Sequence, residues 1–355
     1  MSHVATRGEL RRPGTVRGAL VRAVVLWLCI AALLVAAIVS AWSAVARDVY
    51  GAGSFARGYL DALADDDAAT ALALPGVALS SAELADAGLP ADSSDALLRS
   101  EALGTIEDVR LVSDVTTASG AHEVTFSYRL AGQPHSTAFS ITSGERTFGL
   151  FPSWRFETSP LSVVQLTVAH TTGFRANGFE LDTRRVAEGT EGAFTSTIPL
   201  LTFTPGSVDF DVDTTYLAAS VETATTTEVA SVVDAEVTAS ATSDFVGEVQ
   251  TQIDGYLDNC ATQQVLQPTG CPFGMVIRDR VDDLPVWSIA AYPVVAVQPG
   301  DTGWQMPATA GAAHLVVDVK SLFDGTVSTL DEDVPFTLSA FVTIRDDGSL
   351  YIDLR

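Results

Sequence analysis

The run AVVLWLCIAALLVAAIVSAWSAVA, residues 23–46, holds no charged side chain. As a helix its 24 residues would reach about 36 Å, enough to cross a hydrocarbon core of roughly 30 Å with some tilt. Trp27 and Trp42 lie towards opposite ends, where indoles favour the membrane interface. Five arginines precede the run, at 7, 11, 12, 17 and 22, against the single acid Glu9, whereas Arg47 and Asp48 cancel after it. Basic flanks stay in the cytoplasm, so the expectation is a single-pass plasma-membrane protein. Residues 1–22 form its cytoplasmic tail, 23–46 its transmembrane helix, and everything beyond lies outside the cell. Ala44, Val45 and Ala46 also fit a small-x-small cleavage site, but the apolar run far exceeds a signal core of roughly 7–15 residues. An uncleaved anchor is therefore the first reading and a cleaved signal the alternative. Cys29 follows the large Leu28 and reads as one more apolar residue of the span.

The 355 residues carry 20 Lys plus Arg and 44 Asp plus Glu. Setting the tail aside leaves 15 bases against 43 acids, a charge of −28 on the remainder. Such a surface repels phosphates and anionic headgroups, so no nucleic-acid partner is expected. Two cysteines, Cys260 and Cys271, fall in the expected exterior part, where thiols oxidise. Without a nearby His they make an incomplete metal set. Their ten intervening residues do not match a redox pair, which has two. A structural disulfide is expected, with free thiols as the alternative.

The tetrapeptide GYLD occurs twice, at residues 58–61 and 255–258, each time on an apolar helical spacing. The first helix should run over 48–74 and stop at Pro75 and Gly76; the second carries Phe245, Val249, Ile253, Tyr256, Leu257 and Cys260. Short helical patterns at 81–87 and 93–103 and strand-like runs at 106–115, 122–130, 136–143 and 154–158 follow the first. Strand-like runs at 286–297, 314–322, 336–345 and 350–354 follow the second, with Asp347 and Gly348 marking a hairpin. A long helix followed by a meandering antiparallel sheet is an α+β unit whose helix covers one curled face. Between the two, 161–233 is rich in β-branched residues, with a turn at Asn177 and Gly178. It reads as a small immunoglobulin-like β-sandwich. The expected domains are 47–158, 159–233 and 234–355, the last holding the disulfide.

The helix-plus-sheet layout, with WRFETSPL as the closing strand of the first unit, resembles nuclear-transport-factor-2-like or cystatin-like cones. The order of tail, membrane helix, cone, β-domain and cone resembles multi-domain envelope proteins of GC-rich Gram-positive bacteria, similar in layout to the teicoplanin-resistance-associated group. Members of that group commonly begin with a cysteine-rich zinc ribbon, which residues 1–22 lack. Conjugation-channel bridge proteins are similar too, hanging cones from one membrane helix. The cone resemblance implies a pocket between helix and sheet, with Tyr59 and Tyr256 as its candidate lining residues and core packing as the alternative for both.

Signs of catalysis are sparse. The histidines, at 3, 122, 135, 170 and 314, show no HExxH spacing, and no GxSxG is present. GAGSFA from Gly51 follows a membrane helix, where a dinucleotide fingerprint needs a strand. Asp209, Asp211 and Asp213 share one face of a strand, a calcium-like cluster that more simply reads as an acidic edge. Asp65, Asp66 and Asp67 read as a solvated helix face, and Asp331, Glu332 and Asp333 as loop acids. No cofactor or metal is expected. The function expected is non-enzymatic: a membrane-anchored envelope protein binding a partner or wall-derived ligand. A structural component of a secretion or conjugation assembly is the alternative, and an enzyme using a cone pocket is a third reading.

Overall fold

The computed structural model of the chain describes residues 15–144, 153–190, 193–345 and 347–355, with the side chains of residues 15–20 and 39–50 set aside. The expected basic tail therefore lies largely outside the described residues. Helix and sheet are mixed, one apolar helix leads the chain, and the sheet includes a curled half-barrel. Helix α1, Thr15–Tyr50, is 36 residues long. Its stretch Val21–Ile38 has a mean hydropathy of 2.6 and is long and apolar enough to cross a membrane. Every side chain of that stretch is exposed, so nothing in the protein shields it, and burial in lipid would remove its apolar surface from water.

The first unit follows directly. The expected helix over 48–74 is two helices, α2 (Ala52–Ala64) and α3 (Ala68–Ala73). The three acids between them, expected as a helix face, make the break. Asp66 takes a positive φ of 55°, and Asp67 caps α3 by accepting from the backbone N–H and hydroxyl of Thr70 at 3.0 and 2.6 Å. An Asp in this position satisfies an orphan donor of the helix start. Helix α4 (Ser81–Asp86) begins with a capping box between Ser80 and Glu83. Residues 93–103, expected as helical, instead form turns and one short 3₁₀ segment, Ser100–Ala102. Ser94 there bridges Leu200 in parallel.

Four antiparallel strands complete this unit in chain order: β1 (Ile106–Thr116), β2 (His122–Leu130), β3 (Gln133–Ser143) and β4 (Trp154–Phe156). Helix α2 covers them with Ala56, Tyr59, Leu60 and Leu63. These spacings of three and four put one helix face on the core. Tyr59 is fully buried, edge-on to Phe139 and Phe156 with ring centres 6.0 and 5.3 Å apart. Its hydroxyl faces two backbone carbonyls, Pro160 at 3.1 Å and Thr204 at 3.0 Å. Burial pushes its pKa well above the ordinary range, so it stays a neutral donor. Phe203 and Leu161, which belong to the next unit's strands, pack into this same core.

Two sheets share the middle core. One has three strands in the order β11 (Val232–Thr238), β5 (Leu161–Ala169), β8 (Thr195–Phe203), with β11 parallel to β5. The other has five, β12 (Ser240–Ala241), β10 (Leu217–Thr226), β9 (Gly206–Asp213), β6 (Gly173–Ala176) and β7 (Phe179–Asp182). The short helix α5 (Thr183–Val186) follows β7. Asn177 and Gly178 make the β6–β7 turn with φ of 48° and 82°, the left-handed pair that a two-residue hairpin requires. The expected boundary at 233/234 falls inside β11, and pairing carries the middle unit through Ala241.

Helix α6 (Ser243–Ala261) opens the last unit and buries Phe245, Val249, Ile253, Leu257 and Cys260. Each such burial contributes about 1.5–3 kcal/mol. Its sheet is built on a long hairpin, β16 (Trp304–Lys320) and β17 (Val327–Ile344), extended by β18 (Leu350–Leu354). The other edge of β16 is paired in turn by β15 (Gln298–Pro299), β14 (Val286–Ala291) and β13 (Arg280–Val281). Both hairpin strands run past their expected limits. Pro307, Gly311 and four alanines dilute the strand signal of β16, and Asp331, Glu332 and Asp333 that of β17. Those three acids are strand residues rather than loop residues. Cys260 and Cys271 form a disulfide, tying the end of α6 to the following loop.

Two outcomes test this account. Tyr59→Phe leaves two buried carbonyls short of a donor and should lower the unfolding free energy by about 1–2 kcal/mol. An unchanged urea midpoint would exclude the junction role of the hydroxyl. Reduction should raise the intact mass by about 2 Da and lower stability by about 2–4 kcal/mol, and a mass unchanged by reductant would mean free thiols.

Candidate functional site

Where the middle unit meets the last one, five rings form a chain. His170 lies 5.2 Å from Phe194, Phe194 5.8 Å from Trp304, Trp304 5.7 Å from Phe245, and Phe245 5.5 Å from Tyr216, centre to centre. Trp304 and Phe245 are buried, while His170, Phe194 and Tyr216 are half-buried. Above them opens a cleft of about 730 Å³. Both units line it: residues 170–173, 180, 182, 184, 193–194 and 214–217 on one side, 302–304, 342–345 and 348 on the other. A volume of this size is in the range that takes small organic ligands.

The cleft wall is stiffened where α6 begins. Thr242 accepts from the backbone N–H of Phe245 at 3.2 Å and donates its hydroxyl to the carbonyl of Thr215 at 2.7 Å. Its own N–H donates to the Tyr216 carbonyl at 2.9 Å. One cap residue thus closes the helix N-terminus and fixes the loop that presents Tyr216. On the same wall, His170 holds a φ of 67°, which costs a non-glycine residue roughly 1–3 kcal/mol. Two bonds retain it: its N–H donates to the Phe194 carbonyl at 2.8 Å, and Nδ1 lies 3.2 Å from the Ala239 carbonyl.

Charge in the cleft is balanced, with Glu180 and Asp182 against Arg184 and Arg345. Asp182 caps the short helix α5, accepting from the Arg184 backbone N–H at 2.9 Å. The Arg184 guanidinium forks onto its two oxygens at 2.9 and 2.7 Å, and the Thr172 hydroxyl lies at 3.4 Å. Burial alone would raise this carboxyl, but the hydrogen bonds and charge of Arg184 outweigh it and hold its pKa below the ordinary value. Arg345 lies over the Tyr351 ring, 5.0 Å from its centre.

The residues singled out from sequence lie elsewhere. Tyr59 is a core residue whose hydroxyl is engaged, not a pocket wall. Tyr256 is half-buried and donates its hydroxyl to the Gly270 carbonyl, bracing the disulfide loop. The two GYLD tyrosines therefore differ: α2 buries both Tyr59 and Leu60, whereas α6 buries only Leu257 of its pair. Asp211 and Asp213 meet Arg175 of the adjacent strand at 2.6 and 3.2 Å, and Asp209 accepts from Thr223 at 2.6 Å. Cross-strand partners account for that acidic face, and no group of three possible metal ligands occurs among the described residues. His314 sits between Asp331 and Asp333 at 3.3 and 2.8 Å, on the exposed side of the long hairpin.

The cleft residues escaped the sequence because they are scattered from 170 to 348 with no motif linking them. The chain matches no family model, no curated protein and no solved structure.

The Asp182 fork gives a pH prediction. Its folded pKa is below the unfolded one, so its contribution is present above about pH 4 and is lost as pH falls through the folded value. Asp182→Asn should flatten the stability–pH curve below about pH 4, and a curve parallel to that of the parent protein would remove the fork from the account.

Proposed function

We propose that this chain is a membrane-anchored extracytoplasmic protein of the cell envelope, non-enzymatic, that binds a partner or wall-derived ligand through its ectodomain. The cleft is the observation that carries the reading. It is roomy, floored by half-buried rings and walled by residues from two units, which is where ligand sites commonly form. Helix α1 supports anchoring by its length and hydropathy. The Cys260–Cys271 bridge supports an oxidising compartment for the rest of the chain. The arginines at 7, 11, 12, 17 and 22 support a cytoplasmic N-terminus. In this reading the first and last units are cones of the nuclear-transport-factor-2-like kind, the middle one is an immunoglobulin-like sandwich, and the layout is that of the teicoplanin-resistance-associated group.

A second reading, a structural link in a secretion or conjugation assembly, draws on the end of the β16–β17 hairpin. Leu322 and Phe323 are 73% and 99% exposed there. The Leu322 N–H donates to Asp279, and those of Phe323 and Asp324 donate to the Ser321 hydroxyl. An ordered apolar tip of this kind suits docking to another protein. Co-purification with channel subunits would favour this second reading.

Orientation has a direct test, because Lys320 is the only lysine. A membrane-impermeant amine reagent applied to intact cells should label Lys320 and leave the Met1 amine untouched. Label on Met1 with none on Lys320 would invert the topology and refute the extracytoplasmic assignment.

A further inference from the structure

We infer that the cleft takes a neutral, hydroxyl-rich glycan; this deepens, and rests on, the reading of the cleft as the binding site. The inference comes from which groups along the lining are free. The Tyr216 phenol and the hydroxyls of Thr215, Thr302 and Thr343 have no side-chain hydrogen-bond partner among the described residues. Thr215, Thr302 and Thr343 are exposed and Tyr216 is half-buried. A hydroxyl both donates and accepts, so four such groups around one cleft complement a ligand whose own hydroxyls and amides do the same. A carboxylate or phosphate only accepts, and would leave half of that capacity unused.

The rings supply the second half of the match. Tyr216 and Phe194 line the cleft half-buried, each packed against a buried aromatic ring, Phe245 and Trp304 respectively. An aromatic face packs well against the apolar C–H side of a sugar ring while the sugar hydroxyls turn to the walls, the same division of apolar body and polar edge that makes Tyr and Trp useful at wet interfaces. Charge completes the argument. The cleft lining is balanced, and the guanidinium of Arg184 is already committed to Asp182. The body around it carries a large excess of acid, so an anionic polymer is repelled on approach. A neutral ligand meets no such barrier, and its affinity should be almost independent of ionic strength.

The test uses the full chain in nanodiscs with chitotetraose, a neutral N-acetylglucosamine oligomer, as probe in calorimetric titration. Saturable binding is expected, with affinity changing less than about twofold from ~0.1 to ~1 M salt. Tyr216→Ala should weaken it roughly tenfold, the scale of one lost aromatic contact. Because Tyr216 also packs on Phe245, Thr343→Val serves as the second variant. It keeps the shape of an exposed side chain, removes one hydroxyl, and should weaken binding severalfold with Tm unchanged. Hydrogen exchange at residues 170–173, 214–217, 302–304 and 342–345 should slow on binding. No binding of chitotetraose, or binding that neither variant weakens, overturns the glycan assignment. Protection of those segments by a peptide but not by the sugar would replace the ligand class and keep the cleft. Sugar binding that leaves all four segments unprotected would overturn the cleft itself.

Discussion

The edge-on packing of Trp304 against Phe194 and Phe245 is the contact on which the far half of the structure depends. Trp304 begins β16, Phe245 lies in the first turn of α6, and Phe194 precedes β8. Three elements distant in sequence thus converge on one ring. The consequence is a single hydrophobic cluster running from Val164 and Phe210 in the middle sheets to Leu315 and Phe336 in the last one. A pair of sheets and a helix-on-sheet unit sharing a core are harder to separate than two domains on a linker, because parting them exposes buried aromatic surface to water. The first unit is joined differently, through the Tyr59 hydroxyl, Phe203 and Leu161, and through the Ser94 bridge along the free side of β8.

The acid excess looks like a liability for such a fold, yet the acids are placed where they do local structural jobs. Asp67 and Asp182 cap helices, and Glu83 closes a capping box. Asp211 and Asp213 pair across to Arg175, and Asp318 accepts from Thr329 across the long hairpin at 2.6 Å. Asp331 and Asp333 flank His314 on a stretch of β17 whose other edge has no strand partner among the described residues until pairing with β18 starts at Ala340. Charges there also deter another chain from adding to the open edge. Exposed pairs of this kind each contribute little to stability, so their main effect is on solubility and on which partners approach.

How far the sequence could be read follows from the range of each interaction. The long apolar N-terminal helix, the disulfide, β2, β18 and the turn at Asn177 and Gly178 rest on contiguous residues with strong local signals, and the structure has them as expected. Helix α6 is legible for the same reason, through its apolar residues four apart. The apolar spacing predicts one long first helix because it continues across Asp65 and Asp66, whereas the positive φ of Asp66 and the cap made by Asp67 break it. The strand pattern predicts too late a start for β16 because Gly311 sits where a Cβ would fall 2.5 Å from the Phe336 ring. A weak strand former is required there by a neighbour 25 residues away. A slip in register between Met306 and Thr309 also switches which residues face the core, so strict alternation fails along the strand.

The candidate site was the least legible part, and packing explains where it lies. A helix over a curled sheet suggested a pocket beneath the helix, near the GYLD tyrosines. In the first unit that space is occupied by Tyr59, Phe126, Phe139 and Phe156, all essentially without exposure. In the last unit Phe245, Val249, Ile253 and Leu257 meet Trp287, Leu315 and Phe336 in the same way. Interiors pack to crystal-like density, and side chains of this size leave no room under either helix for a ligand. The junction is different. There the loops after β5 and β9 face the start of β16 and the end of β17, and strands of two sheets that end against each other cannot interdigitate as strands within one sheet do. What fills the gap is a floor of rings and a rim of threonines, of which Thr215, Thr302 and Thr343 keep their hydroxyls free of side-chain partners among the described residues. The opening therefore arises from the way two sheets abut, and its chemistry from the loop residues that such an abutment permits.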